Sequence, residues 1–301
     1  MDFSSILQDA KTTISEFKSQ NNDGIVIIRW ATATGKSRLS VELSEFFDIE
    51  VISSDSRQIF RKMDIGTDKI SAEIRKKIPH HQIDIVDPDE TYTAGQWKED
   101  ADHQVDEILA REKFPFIVGG TGLYIDTIYK NFSLPECPPD YALRSELEEK
   151  EKQDPGFLHH ELSKIDPEEA GKLHPNSTRY LIRALEIYKK TWITKTAGYI
   201  QQAVRHPILM LGLRRDKKTT NHLINARIKE MFKNWLIEEV DYLLKEDYPP
   251  TLQSMQGIGY KEVIGYLQGQ YDYEKMEELL KRNTHHLAKK QRTWFRRYIA
   301  E

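Results

Sequence analysis

Three adjacent residues, Gly35-Lys36-Ser37, combine a backbone hinge, a mobile ammonium and a hydroxyl. That set suits a polyphosphate. Loop N–H groups and the start of a helix point at anionic oxygens, the lysine adds charge, and the hydroxyl can hold Mg²⁺ against the phosphates. The surroundings support the reading. Gly24-Ile25-Val26-Ile27-Ile28 is an apolar run ahead of the loop, and Arg38-Leu39-Ser40-Val41-Glu42-Leu43 has helical patterning behind it. Strand, loop and helix follow in the order of a phosphate-binding P-loop. The loop reads Trp30-Ala31-Thr32-Ala33-Thr34-Gly35-Lys36-Ser37. The P-loop pattern opens on glycine, and here that position is Trp30. An indole there is expected to hinder both the exit from the strand and the close approach of phosphate.

A second chemical candidate is Asp55, which follows the apolar run Ile49-Glu50-Val51-Ile52. In an open parallel sheet, ligands sit beyond the carboxyl ends of the strands. Asp55 is therefore expected beside the loop, as a Mg²⁺ ligand or a proton acceptor. Capping of the following turn is the competing reading. Phe114-Pro115-Phe116-Ile117-Val118 runs into Gly119-Gly120-Thr121-Gly122, which suggests another close backbone approach to a ligand. Arg179 and Arg183, four apart, share one helical face and could grip phosphates, or form a solvated surface. The stretch from Lys281 to Arg297 is rich in lysine and arginine with Trp294 and Phe295 interleaved. It reads as an RNA-binding surface or as a solubilising helix. His80 and His81 are adjacent and lack metal-ligand spacing, so no metal site is expected there.

The elements that must position these groups are those of an α/β fold. The expectation is a P-loop NTPase-like parallel sheet flanked by helices, with a helical insertion domain. Residues 1–133 and 199–301 form the core with its C-terminal helices, and 134–198 form the insertion. Leu134-Pro135-Glu136-Cys137-Pro138-Pro139 is a stiff linker into it, and Pro207–Gly212 returns as a strand that completes the sheet. Residues 3–20 have near-helical apolar spacing and are expected to pack on the core.

With 301 residues, 39% hydrophobic and 31% charged, the chain can bury a large core. One cysteine, Cys137, excludes an internal disulfide. No apolar run approaches the ~20 residues of a membrane span, and the first residues lack the pattern of a signal peptide. The expected location is the cytoplasm, with no membrane and no obligate protein partner. A net charge of −4 leaves nucleic-acid binding to local basic surfaces.

Eight stretches carry a resemblance when taken together: A-T-A-T-G-K-S from Ala31, S-S-D-S-R-Q-I-F from Ser53, M-D-I-G-T-D-K from Met63, P-H-H-Q-I-D-I-V-D-P from Pro79, V-G-G-T-G-L-Y from Val118, H-P-N-S-T-R-Y-L-I-R-A-L-E from His174, Q-G-I-G-Y-K-E from Gln256 and Q-R-T-W-F-R-R from Gln291. In this combination and order the chain resembles the tRNA dimethylallyltransferases, also called tRNA isopentenyltransferases, over nearly its whole length. The resemblance implies transfer of a dimethylallyl group from its diphosphate to the N6 amine of the adenosine 3′ to the anticodon. It implies Asp55 as general base, Thr32 as a positioning group, and Lys36 with Mg²⁺ on Ser37 as stabilisers of the departing diphosphate. Residues 30–37 and Arg227 would hold the diphosphate. Asp55, Ser56, Arg57, Gln58, Thr121, Arg144, Arg179, Arg183 and Lys261 would contact the tRNA anticodon stem-loop. Lys217 stands where the family often carries arginine. The alternatives are a free-nucleotide isopentenyltransferase, a P-loop kinase, or an RNA-binding relative disabled by Trp30.

Three positions depart from the family pattern. Trp30, Trp192 and Trp235 stand where it has glycine, and the chain has only five tryptophans. Either the three are genuine and Trp30 weakens diphosphate binding, or their codons are UGA, which is read as glycine in some genetic codes and as tryptophan in others.

Overall fold

The structure, a computed structural model, describes residues 3–298. Five strands, β1 (Ile25–Arg29), β2 (Ile49–Ser54), β3 (His80–His81), β4 (Phe114–Gly119) and β5 (Ile208–Gly212), form one sheet in the order β3-β2-β4-β1-β5. Every pairing is parallel. β1, β2 and β4 are buried along their whole length. That explains their unbroken apolar runs, because central strands of a parallel sheet are covered on both faces. β5 is the half-buried edge that the run after Pro207 foretold. β3 is the opposite edge, and there His81 Nε2 meets a Glu50 carboxylate oxygen at 2.7 Å.

The helices are α1 (Phe3–Gln20), α2 (Lys36–Leu43), α3 (Ala72–Lys77), α4 (Ala94–Ala110), α5 (Gly122–Tyr129), α6 (Tyr141–Gln153), α7 (Phe157–Ile165), α8 (Pro167–Lys172), α9 (Thr178–Thr191), α10 (Lys195–Gly198), α11 (Lys217–Lys233), α12 (Leu236–Lys245), α13 (Tyr260–Leu267) and α14 (Tyr273–Phe295). Among the buried residues of α1 are Ala10 and Ile14, four apart on one face.

The chain divides into two compact units. One comprises residues 1–92, 97–129 and 205–301, and carries the sheet. The other comprises 93–96 and 130–204, a wider span than 134–198, because the chain on either side of the linker stays with the helices. Its core is Leu147, Leu158, Leu162, Leu181, Ile182 and Leu185. Asp166 accepts the Glu169 N–H and Pro167 follows, so α8 starts where an acceptor side chain and a fixed φ coincide. Cys137 is buried and free.

Candidate active site at the carboxyl edge of the sheet

The phosphate loop leaves β1 and closes at Gly35, which has φ 96° and caps α2 without a side chain. A residue with a β-carbon is strained in that conformation. The bare cap leaves the first N–H groups of α2 to a ligand. The loop is braced from several directions. Thr34 Oγ1 donates to the Ala31 carbonyl at 2.9 Å, and Arg215 Nε donates to the Thr34 carbonyl at 2.9 Å. The Thr32 N–H donates to Gln291 Oε1 at 2.8 Å.

Lys36 Nζ lies back along the loop and donates to the Ala31 carbonyl at 2.9 Å. Removal from solvent pulls its pKa down to about 8; Asp55 opposes the shift, Arg227 adds to it, and Asp68 opposes it. Lys36, Asp55 and Arg227, expected to act together, therefore share one electrostatic neighbourhood. Arg227 pairs with Asp68 at 2.9 Å, and its buried Nε has no hydrogen-bond partner among the described residues. A buried guanidinium N–H left open is what an anion site requires. Ser37 is exposed on the first turn of α2. Its hydroxyl and the nearby carboxylates are hard oxygen donors, which fit Mg²⁺.

Asp55 stands just past the end of β2. Its Oδ1 accepts the Arg57 N–H at 2.9 Å, so the turn-capping reading of this residue is realised. That bond uses one oxygen. The other accepts no hydrogen bond among the described residues, so capping and proton acceptance are compatible. Thr121 joins the group: its N–H donates to the Ser54 carbonyl at 3.0 Å and its Oγ1 accepts the Ser56 N–H at 3.0 Å. The close approach expected of the glycine turn is between two strand ends. A β-carbon on Gly119 would fall 2.3 Å from the Ser54 carbonyl oxygen. The glycine therefore serves strand contact.

Several expected nucleic-acid contacts have intramolecular partners. Gln58 Nε2 donates to the Thr67 and Asp68 carbonyls, each at 3.2 Å, and its Oε1 accepts from Ser53 Oγ at 3.0 Å. Arg57 donates to the Gln253 carbonyl at 2.9 Å. In the helical unit, Arg144 and Arg183 both bind Glu186, at 2.8 and 2.5 Å. Burial alone would raise Glu186, but Arg144, the Asp140 N–H and Arg183 together hold it below the usual carboxylate range. Arg179, on the same helix, is exposed and has no ion pair among the described residues. Lys261 is exposed, with its Nζ 3.8 Å from Glu262.

The basic stretch 281–297 is not a uniform outer surface. Phe295 is buried and stacks on Trp30 with ring centroids 6.3 Å apart. Arg297 binds Asp126 at 2.8 Å. Lys289, Arg292 and Arg296 line a cavity of about 1440 Å³ together with Arg214, Arg215 and Lys217. Trp30 is in its wall. The indole was expected to hinder the exit from the strand and the approach of phosphate. Instead its ring packs toward Gly212 and Phe295, the space at the end of β5.

Sequence reasoning missed three positioning groups. Gln291 Nε2 donates to the Gly120 carbonyl at 2.9 Å, so one carboxamide ties the phosphate loop to the β4 turn. Ala288, Gln291 and Phe295 share a helical face, and that spacing was the available signal. Glu239 accepts the N–H groups of Asp64, Ile65 and Gly66 at 2.9, 2.8 and 3.1 Å, fixing the turn that carries Asp68. Tyr124 stacks on Trp97 at 4.4 Å. Burial pushes its phenol up and the Asp55 charge adds to the shift.

Comparison with known proteins decides the kinship. A sequence model described as IPP transferase matches residues 58–298. The chain belongs to the IPP transferase family. The matched span begins after the phosphate loop and Asp55, but relatives that match 91% of this chain cover both. The tRNA dimethylallyltransferase of Thermotoga neapolitana is 44% identical over 276 residues, 91% of this chain and 90% of its own. That of Thermotoga maritima is 43% identical with the same coverage. Among solved structures, the full-length tRNA isopentenylpyrophosphate transferase of Bacillus halodurans is 40% identical with a TM-score of 0.66, over 91% of this chain and 87% of that one. A eukaryotic dimethylallyltransferase acting on tRNA is 29% identical with a TM-score of 0.74, over 90% and 69%. The IPP transferase fold is thus the frame for the α/β sheet and loop described above.

Proposed function

We propose that this IPP transferase moves a dimethylallyl group from dimethylallyl diphosphate to the N6 amine of the adenosine 3′ to the anticodon in tRNA. The observation that carries the reading is that Asp55 and Arg227 both act on the buried Lys36 charge while Arg227 keeps a buried, open Nε, in a chain whose relatives bear that activity's name. In this reading the diphosphate is a leaving group. The N6 lone pair attacks the allylic carbon, the C–O bond breaks, and the electron pair departs with pyrophosphate. Charge grows on the diphosphate oxygens, where the α2 N–H groups, the open Nε of Arg227 and a Lys36 released from the Ala31 carbonyl would stabilise it. Mg²⁺ bound through Ser37 would neutralise part of that charge. Adenine's amine becomes acidic as the new bond forms, and Asp55 takes its proton. Thr32 and Thr121 hold the two loops in register, and the target base leaves its stack to enter.

For the nucleic acid, Arg179 and Lys261 are the side chains free to reach phosphates. Ser56 offers its hydroxyl beside the base, Arg57 lines the same turn, and Gln58 sets it. Arg144 and Arg183 act by organising the helical unit through Glu186. Among the described residues no helix is long and apolar enough to cross a membrane, and we place the reaction in the cytoplasm. Incubation with labelled dimethylallyl diphosphate, Mg²⁺ and either tRNA or AMP tests the proposal. Label in tRNA is the expected result. Label in AMP alone, or phosphate transfer from ATP, would replace it. Retention of RNA without labelling is the outcome a genuine Trp30 favours.

A further inference from the structure

Two of the five tryptophans, Trp97 and Trp294, have helical backbone within α4 and α14. The other three have positive φ: 158° at Trp30, 59° at Trp192 and 73° at Trp235. Eleven non-glycine residues among those described have positive φ, and the remaining eight are aspartate, asparagine, lysine, glutamine, glutamate and alanine. The chain's 14 tyrosines and 11 phenylalanines contribute none. Bulky residues avoid this region, and here the exceptions fall on one amino acid only.

The positions themselves are glycine positions. Trp192 follows the last turn of α9 in left-handed conformation, and its N–H donates to the Tyr188 carbonyl at 2.8 Å. That is the helix-ending geometry that glycine serves. Trp235 is the left-handed joint between α11 and α12. Left-handed backbone crowds the β-carbon against the next carbonyl, a cost that burial could offset. No burial does so: the two residues are 77% and 66% exposed. Trp192 makes one edge contact with Tyr188. Trp30, at the border of the extended region, is buried instead, and its indole N–H has no acceptor among the described residues. A buried donor without a partner is a misfit of a different kind at the same residue type.

We infer that residues 30, 192 and 235 are glycine in the protein made by its own ribosomes, specified by UGA codons that those ribosomes read as glycine, while UGG specifies Trp97 and Trp294. One codon assignment accounts for all three misfits and for the two tryptophans that fit. It also clears the wall of the basic cavity beside the phosphate loop. That last consequence alone rests on the proposed function.

The gene and the native protein test the inference directly. UGA at all three codons, UGG at 97 and 294, and glycine in peptides of protein purified from its own cells are expected. UGG at any of the three, or tryptophan in those peptides, overturns it. Recombinant chains supply a second test. Trp192→Gly and Trp235→Gly are each expected to raise Tm by about 2–4 °C, whereas Trp97→Gly lowers it. An unchanged or lower Tm in both exposed variants overturns the backbone argument. Trp30→Gly leaves the path of phosphate as it is, since the indole packs on Gly212 and Phe295, but restores glycine's backbone freedom at the strand exit, and is expected to tighten inorganic pyrophosphate binding by about tenfold. If the codons are UGA and both exposed variants gain stability while pyrophosphate binding does not change, the glycine assignment stands and the diphosphate reading fails.

Discussion

The phosphate loop and the arginine face of α9 both concentrate charge, yet they treat it in opposite ways. In the helical unit, Glu186 is fully buried and holds Arg144 and Arg183, so three charges are satisfied within the fold. At the loop, the cap of α2 has no side-chain acceptor, Lys36 is pulled down by removal from solvent, and Arg227 keeps an open Nε. Satisfied groups stabilise a fold; groups left open await a ligand. The expectation that all the arginines reach RNA ignored this difference. Only Arg179 on α9 has the open character of the loop residues.

The sharpest way to break the comparison is at Asp55. Asp55→Asn keeps an acceptor for the Arg57 N–H but removes the base. Prenyl transfer is expected to fall about 10²–10⁴-fold with Tm unchanged, and a parallel loss of Tm would make Asp55 structural. Next is Glu186→Ala, which leaves two guanidiniums half-buried without their carboxylate. It should cost about 3 kcal/mol of unfolding free energy, read in denaturant titration, with little effect on pyrophosphate affinity. Because the folded carboxylate is held below its unfolded value, its contribution is fully present above the ordinary glutamate pKa. It is lost as pH falls through the folded value, and Glu186→Gln should flatten stability across that range.

Lys36 supplies the opposite pH signature. Its ammonium is disfavoured in the folded chain, so above about pH 8 the free protein loses that proton. Pyrophosphate binding then requires proton uptake, and affinity measured by calorimetry should weaken by up to about tenfold per pH unit. Lys36→Arg, charged throughout, reports the ligand's own ionisation and should lack the excess. A smaller effect is expected at Gln291→Leu: about a tenfold loss in kcat with KM for the diphosphate little changed, since the loops lose their mutual register. Equal losses in kcat and Tm would show mere destabilisation. Smallest is Arg179→Ala, expected to weaken RNA binding a few-fold and lower the salt slope by about one.

How much of this could be read in advance follows from the range of each interaction. β1, β2 and β4 announced themselves because continuous burial writes continuous apolar sequence. Asp55 was placed by the rule that ligands gather past strand ends. β3 was not visible, since two residues carry no period. Gln291 was quoted within a motif, but its partners are 259 and 171 residues away. Phe295 was read as a surface aromatic because basic neighbours hid its spacing with Ala288. Asp68 lies within the quoted M-D-I-G-T-D-K stretch, but its partner Arg227 is 159 residues away, and Glu239 had no local signature, as its work is to fix the Asp64-Ile65-Gly66 turn from another element.

The tie through Gln291 has a bearing on biosynthesis. A ribosome delivers Thr32 and Gly120 long before the carboxamide that joins them. The β1–β4 pairing, with Arg29 against Gly119, already holds the two strand ends side by side, so α14 adds the bridge between the loops beyond them, and chains interrupted before residue 291 lack that bridge. The brace between the two loops is thereby the last part of this edge of the sheet to be supplied as the chain is made.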